Sequence, residues 1–255
     1  MATYGGFARV YDQFMEDIPY EKWGNYIQAI FKKHQYNPCS IAELGCGTGN
    51  MTEVMAQRGY EMIGIDLSEE MLMMAKEKAI QRNTDILYIL QDIREFELYG
   101  TVDCILSVCD TMNYILKEDE LRQVFQLVNT YLNPGGLFIF DMNTEYKYEH
   151  ILGSHIFSDA KENMAYIWEN NYDEEEQINE YAVNFFIQQE DSVLYERFEE
   201  IHYQKAYSIQ KVSTFLSEVG LELVATYDAF TFQPPSKDSE RIYFIAKEIQ
   251  KQGRM

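Results

Sequence analysis

Residues 40–50 constrain the fold more than any other part of the chain, with the sequence SIAELGCGTGN. An apolar run of strand length leads into three glycines at alternate positions, and a run with helical spacing follows. Glycine accepts positive φ angles and lets the backbone approach a ligand closely. The first N–H groups of the following helix have no partner within that helix. The segment therefore predicts a strand, a turn and a helix of an α/β sheet that binds a ligand at the turn.

The chain then alternates between strand patterns and helical patterns. The predicted strands are Ser40–Leu44, Tyr60–Ile65, Ile86–Leu90, Val102–Val108 and Leu137–Phe140. The predicted helices are Met51–Arg58, Glu69–Gln81 with Ser68 as its N-cap, and Glu118–Leu132, which Asn133-Pro134-Gly135-Gly136 ends. Strands that are apolar almost throughout are typical of a parallel sheet with helices on both faces. Right-handed crossovers then give an open, doubly wound sheet.

Two regions depart from this alternation. The residues from Phe7 to about Lys33 have helical spacing, which Pro19 interrupts. After about Thr144, three runs rich in aromatic and β-branched residues are separated by acidic turns, which predicts an inserted antiparallel meander. Its strands are Met164–Tyr172, Ile178–Gln188 and Val193–Tyr203.

The α/β pattern returns at the end of the chain. A helix is expected over Ser208–Glu218, with Gly220 as its stop, and two strands over Glu222–Phe230 and Arg241–Lys247. We therefore expect a core formed by residues 1–144 and 206–255. Residues 145–205 are expected to form an inserted β-sheet that lies over the core as a lid.

The charge of the chain disfavours some partners. The 42 acidic residues outnumber the 21 basic ones, for a net charge of −21. A surface this acidic repels phosphate backbones and anionic lipid. The alternative explanation is that the acidic charge only keeps the protein in solution. No secretory signal is recognisable, and no apolar run approaches the ~20 residues of a membrane helix. The sequence therefore indicates a cytoplasmic protein without a nucleic acid or membrane partner.

Cysteine and histidine spacing gives no support for a metal site. The cysteines Cys39, Cys46, Cys104 and Cys109 form no CxxC pair, and the four histidines form no HExxH cluster. No metal ion is expected.

The glycine spacing separates two ligand classes. Dinucleotide-binding turns follow GxGxxG, whereas Gly45, Gly47 and Gly49 follow GxGxG. Glu43 precedes the first glycine by two positions and suits a ligand with an ammonium group. The segment resembles motif I of the class I S-adenosylmethionine-dependent methyltransferases. This resemblance implies a Rossmann-like α/β sheet with a reversed final β-hairpin, and S-adenosylmethionine as the cofactor.

Later motifs extend the resemblance in the family's order. Asp66 ends the second strand, where the family's acid accepts hydrogen bonds from both ribose hydroxyls. Asp92 ends the third strand, where the matching acid reads the adenine amino group and Ile93 packs beside the base. Leu132-Asn133-Pro134-Gly135-Gly136 is similar to the family's turn before the fifth strand. The cofactor-binding residues that the resemblance implies are Tyr11, Glu43, Gly45, Cys46, Gly47, Gly49, Asp66, Leu67, Met71, Asp92, Ile93 and Cys109.

The end of the fourth strand is where the family brings the methyl donor to its acceptor. The sequence SVCDTMNY at residues 107–114 lacks the (N/D)-P-P-(Y/F) motif that holds a flipped base or an amide nitrogen. The N-terminal segment FARVYD and the inserted sheet resemble those of small-molecule N-methyltransferases acting on amino sugars. A small-molecule acceptor with an amine or a hydroxyl is therefore expected. Its candidate contacts are Tyr4, Asp110, Asn113, Tyr114 and His202.

Several alternatives stay open at this point. His202, Asp110 and Tyr114 are all candidates for the base that takes a proton from the acceptor. An oxidoreductase that uses NAD would require GxGxxG, which is absent. A non-catalytic protein that binds S-adenosylmethionine would have the same donor motifs, and a nucleic-acid or protein methyltransferase is the other alternative. Both a monomer and a homodimer are compatible with the sequence.

Overall fold

The computed structural model describes Asp12, residues 18–189 and residues 192–251. Helix α1 (Tyr20–Lys33) follows Pro19 and confirms the second part of the predicted N-terminal helical region. It buries the apolar stripe that the sequence predicts, including Trp23, Ile27 and Ile30. The first part of that region, together with Tyr4 and Tyr11, lies outside the described residues.

The elements of the core occur in the predicted order. The helices are α1, α2 (Asn50–Gln57), α3 (Glu69–Arg82), α4 (Glu118–Tyr131) and α5 (Ile209–Glu218). The strands, in chain order, are β1 (Ser40–Leu44), β2 (Glu61–Asp66), β3 (Ile86–Leu90), β4 (Val102–Ser107), β5 (Leu132–Asn143), β6 (Ile156–Ala160), β7 (Met164–Asp173), β8 (Ile178–Gln188), β9 (Tyr195–Lys205), β10 (Leu221–Asp228) and β11 (Arg241–Glu248).

One seven-stranded sheet forms the core, with the order β10-β11-β5-β4-β1-β2-β3. The pairs among β1 to β5 are parallel, whereas β11 is antiparallel to both β5 and β10. The predicted doubly wound sheet with a reversed final hairpin is therefore confirmed. β1 and β4 are neighbours at the centre of this order, so the direction of winding reverses between them. Such a switch point opens a crevice at the carboxyl ends of the strands.

Both faces of this sheet are buried. Along β5, Phe138 and Phe140 pack with α4 and α5 on one face, while Leu137 and Ile139 pack with α1 and α2 on the other. This two-sided burial explains why the strands have near-continuous apolar sequences. Helix α3 begins where predicted, because the Ser68 hydroxyl accepts a hydrogen bond from the Met71 N–H at 3.2 Å.

The inserted region forms a second, antiparallel sheet with the order β6-β7-β8-β9. The three predicted strands are present as β7, β8 and β9. The fourth and shortest strand, β6, was not predicted, because its residues are mostly exposed and lack a clear alternation. A π-helix over Lys147–Leu152 connects β5 to this sheet and was also not predicted. Strand β5 is longer than expected: it begins at Leu132, includes Asn133-Pro134-Gly135-Gly136 with an irregular register, and ends at Asn143.

Candidate active site

A cavity of about 700 Å³ opens at the carboxyl ends of β1 to β4, between the core and the inserted sheet. Its volume lies within the range of small-molecule sites. The predicted site residues that line it are Gly45, Gly47, Asp66, Leu67, Met71, Asp92, Ile93, Cys109, Asp110, Tyr114 and His202. Glu43, Cys46, Gly49 and Asn113 do not line it.

The three glycines of the turn have different surroundings. Their φ angles are +72°, +53° and +77° at Gly45, Gly47 and Gly49, all in the region that favours glycine. A Cβ at Gly45 would collide with Thr111, and a Cβ at Gly49 would collide with the Tyr88 hydroxyl. A Cβ at Gly47 would meet nothing within 4 Å. Packing inside the protein thus requires the outer two glycines, while Gly47 leaves space open beside the cavity.

Asp66 holds the turn from the end of β2. Its carboxylate accepts hydrogen bonds from the Gly47 N–H at 2.7 Å and from the Ser68 N–H at 2.9 Å. Burial raises the pKa of this carboxyl, and the two backbone hydrogen bonds oppose that shift. Because Asp66 also lines the cavity, its remaining lone pairs can accept hydrogen bonds from a ligand.

Glu43 lies inside the protein rather than at the cavity wall. It is 2% exposed, and it accepts a hydrogen bond of 2.5 Å from the Thr52 hydroxyl of α2. Burial raises the pKa of Glu43 to about 8. The side chain therefore links β1 to α2, and the structure shows no contact between Glu43 and the space available to a ligand.

Asp92 lies after β3 and is paired with a neighbour that the sequence reading overlooked. The Arg94 Nε donates to both carboxylate oxygens of Asp92 at 3.0 Å, and this pairing lowers the pKa of Asp92. Asp92, Ile93 and Arg94 all line the cavity. The wall at this end therefore offers a fixed carboxylate next to an apolar side chain.

The loop after β4 has an unusual backbone. Cys109 and Asp110 both have positive φ, at +61° and +57°, which is uncommon outside glycine. Their N–H groups donate to the buried carboxylate of Asp141 on β5, at 3.3 Å and 2.7 Å. Arg241 on β11 donates to Asp141 at 2.9 Å and to Asp110 at 2.7 Å. These charge-assisted bonds hold the loop in its strained form.

The Asp110 carboxylate is hydrogen-bonded through both of its oxygens. One of its oxygens accepts from Arg241, and the other accepts from the Gln204 amide of β9 at 2.6 Å. The Gln204 amide oxygen in turn accepts from the hydroxyls of Tyr148 and Tyr181, at 2.8 Å and 2.7 Å. Asp110 therefore joins the core to the inserted sheet, and it shares the positive charge of Arg241 with Asp141.

Asn113 has a similar connecting position. It is fully buried, and its amide donates to the backbone oxygens of Asn143 and Lys205 and accepts from the Asn143 N–H, at 3.1, 2.8 and 2.9 Å. All of these partners are backbone groups at the two ends of the inserted region. We therefore assign Asn113 to fastening that region, in place of the acceptor contact expected from the sequence.

Tyr114 and His202 meet at the cavity wall. Their rings are in an edge-to-face arrangement with centroids 5.8 Å apart. Burial lowers the pKa of His202, so the imidazole is neutral at pH 7. A neutral imidazole at this place can accept a proton.

The inserted sheet contributes an aromatic wall that the sequence indicated only as an excess of aromatic residues. Tyr166, Trp168, Tyr181 and Phe185 line the cavity from β7 and β8. Lys147 also lines it and donates to the Asn143 side chain at 2.9 Å. Alternate residues of a strand share one face. The spacing of two residues between Tyr166 and Trp168, and of four between Tyr181 and Phe185, was therefore the sequence signal for this wall.

Asp12 is a further residue that the sequence reading missed. Its carboxylate accepts hydrogen bonds from Thr48 at 2.6 Å and Asn50 at 2.9 Å, both near the glycine turn, and from Lys78 of α3 at 2.8 Å. Burial acts to raise the pKa of this carboxyl, but the hydrogen bonds and the charge of Lys78 outweigh it and lower the pKa. Asp12 is thereby bonded to the glycine turn and to α3.

Comparisons with known proteins agree with this geometry. A family model described as a methyltransferase domain matches residues 41–136. A protein of Geobacillus sp. (strain WCH70), provisionally named a methyltransferase, is 35% identical over 96% of this chain and 100% of its own length. The crystal structure of an S-adenosylmethionine-dependent methyltransferase from Clostridium acetobutylicum ATCC 824 superposes with a TM-score of 0.86, at 30% identity over 96% of this chain and 98% of that one.

A more distant structure shares the same fold. The amino pentose methyltransferase CalS10 from Micromonospora echinaspora, solved with S-adenosylmethionine bound, gives a TM-score of 0.75 at 17% identity, covering 94% of this chain and 96% of its own. Among the described residues, no helix is both long and apolar enough to cross a membrane. The identity and coverage of the Geobacillus relative show that the chain belongs to the S-adenosylmethionine-dependent methyltransferases, with S-adenosylmethionine as its cofactor.

Proposed function

We propose that this methyltransferase acts on a small molecule and that the methyl group goes to an amine nitrogen. The observation that carries the proposal is a continuous cavity, which begins at the glycine turn and ends against the aromatic wall of the inserted sheet. One end offers carboxylates that suit a nucleoside, and the other offers apolar rings that suit a small acceptor. The fold shared with an amino pentose methyltransferase supports this class of acceptor.

The donor end is proposed to consist of Gly47, Asp66, Asp92 and Ile93. Asp66 would accept hydrogen bonds from the ribose hydroxyls, since it lines the cavity at the end of β2. Asp92 would accept from the adenine amino group, with Ile93 against the base. The open space beside Gly47 would admit the ligand close to the backbone.

The acceptor end is proposed to act by position and by excluding water. S-adenosylmethionine, when bound, supplies an electrophilic methyl group on a sulfonium. The loop of Cys109 and Asp110, fixed by Asp141 and Arg241, would hold the acceptor in line with that group. The neutral His202 imidazole beside Tyr114 would accept the proton that the amine releases. The inserted sheet would act as a lid that keeps water out.

A binding and turnover experiment tests the proposal. Calorimetry should show binding of S-adenosylmethionine and S-adenosylhomocysteine, with no comparable binding of NAD. Incubation with S-adenosyl[methyl-³H]methionine and a panel of small amines should then transfer the label to at least one amine. Label found in RNA or DNA alone would refute the small-molecule proposal. Donor binding without transfer to any compound would favour a non-catalytic binding protein.

A further inference from the structure

The cavity-facing side of β9 contains a carboxylate that the proposed roles do not use. His202 and Gln204 line the cavity from β9. Because alternate residues of a strand share a face, Glu200 lies on the same face as these two. Glu200 is also directly opposite Val183 of β8, another cavity-lining residue. Its side chain thus lies on the cavity side of the inserted sheet, next to lining residues of β8 and β9, and is not itself a lining residue.

Glu200 has a buried carboxylate oxygen without a partner among the residues that the structure describes. The residue is 5% exposed, and the unpartnered atom is Oε2. Burial alone raises the pKa of Glu200 to about 7. A buried carboxylate oxygen without a partner is destabilising, because it has lost its hydration and gained no hydrogen bond in exchange. Such a group is stabilised when a cation binds beside it.

The surroundings of Glu200 suit an organic cation. The register of the lid places Trp168, Val183 and Glu200 side by side on adjacent strands. With strands about 4.8 Å apart, the Trp168 and Glu200 backbones are about 10 Å from each other across Val183. Phe185, which also lines the cavity, stacks on Phe198 at 5.1 Å between ring centroids. Aromatic faces attract ammonium groups, most strongly when water is excluded.

Asp110 is already paired with Arg241 and accepts from Gln204, whereas the Oε2 atom of Glu200 has no hydrogen-bond partner among the described residues. We infer that the acceptor carries a cationic nitrogen, which Glu200 and Trp168 bind above Val183 on the inner face of the lid. The inference rests on the proposed function and adds a specificity-determining residue to it. Glu200 precedes His202 by two residues along β9, and the two are about 7 Å apart. At this distance from the proposed proton acceptor, Glu200 selects the acceptor molecule and takes no part in methyl transfer.

The test compares a charged probe with its neutral counterpart. Benzylamine and benzyl alcohol are titrated into protein saturated with S-adenosylhomocysteine, and their dissociation constants are measured by NMR shift changes. The wild-type protein should bind benzylamine about tenfold more tightly than benzyl alcohol, because the ammonium group gains a charge-assisted hydrogen bond to Glu200 that the alcohol lacks. Glu200→Gln keeps the shape and removes the charge, so the two probes should bind with equal strength.

The matched control is Glu199→Gln on the opposite, exposed face of β9. This variant should keep the wild-type preference. Glu200→Met, which replaces the carboxylate with an apolar group of similar length, serves if the glutamine variant does not fold. Equal binding of the two probes by wild type, or a preference that survives in both Glu200 variants, would overturn the inference. Affinity for S-adenosylhomocysteine should not change in any variant, and failure to bind it would count against the proposed function instead.

Discussion

Replacing Arg241 with glutamine should destabilise the protein strongly, because it removes the counter-charge of a buried carboxylate. The Asp141 side chain is 0% exposed, and that of Arg241 is 15% exposed. Removing one partner of a buried ion pair costs about 3–5 kcal/mol. For a chain of this size each kcal/mol lowers Tm by about 2–4 °C, so the expected decrease is about 6–20 °C. Urea unfolding and thermal melts followed by circular dichroism measure both quantities.

Two further variants show whether the buried charge is the cause. Arg197→Gln removes an exposed arginine whose nearest carboxylate, Glu199, is 3.7 Å away, and it should cost less than about 1 kcal/mol. Asp141→Asn combined with Arg241→Gln removes both charges and should recover much of the lost stability. The reasoning is refuted if Arg241→Gln costs no more than Arg197→Gln, or if the double variant is no more stable than the single one.

The same cluster predicts a dependence on pH. Without Arg241, the Asp141 pKa should be raised well above its value in the unfolded chain by burial. A group of this kind stabilises the fold below its unfolded pKa, and that contribution is lost as pH rises through the folded pKa. The stability difference between Arg241→Gln and wild type should therefore be smaller at pH 4 than at pH 7. A difference that does not change with pH would contradict this account.

Three more predictions concern Asp66, the glycine turn and Glu43. Asp66→Asn should weaken S-adenosylhomocysteine binding by about 2–4 kcal/mol in calorimetry, because the ribose hydroxyls lose charge-assisted hydrogen bonds; wild-type affinity would exclude the ribose role. Gly49→Ala should lower the free energy of unfolding by about 1–3 kcal/mol, because its Cβ collides with Tyr88. Gly47→Ala, whose Cβ meets open space, should lower the free energy of unfolding less and weaken donor binding more. The reverse order would contradict the assignment of the glycines. The pKa of Glu43 is raised to about 8, so its contribution to stability is lost as pH rises from about 4.5 to about 8. Urea unfolding of Glu43→Gln should not show this loss. Identical pH profiles for the two proteins would show that Glu43 is not the group concerned.

Local sequence signals were sufficient for much of the core. The bounds of β1 and β3 agree with the structure, because each is a short apolar run between turn residues. Ser68 caps α3 as predicted, since capping depends on residues that are adjacent in the chain. The exposed strand β6 and the π-helix over Lys147–Leu152 have no such pattern. Strand β6 is defined by its backbone pairing with β7, which the periodicity of its side chains does not reveal.

The candidate site divides in the same way. The glycine turn, Asp66 at the end of β2 and Asp92 after β3 could be predicted because their positions relative to a strand end are fixed, and Gly45, Gly47, Asp66 and Asp92 line the cavity. Arg241 was missed because it reaches Asp110 across 131 residues of sequence. Asn113 was expected at the acceptor because its neighbours in the chain suggested the cavity, whereas its amide is used by backbone groups brought in from β5 and β9. Only the folded structure shows which carboxylates already have partners.

The two walls of the cavity come from separate stretches of the chain, and they bond to each other where Gln204 meets Asp110. The wall of the core is formed by residues up to Ile115 together with Asn143 and Arg241, and that of the inserted region by residues 147–204. Under the proposed function, mutations can accumulate on the inserted region and alter which acceptors fit, while the glycine turn stays intact. A chimera that carries the inserted sheet of another methyltransferase would need compatible residues at Asp110, Asn113 and Gln204, and the rest of the inner surface would be open to exchange.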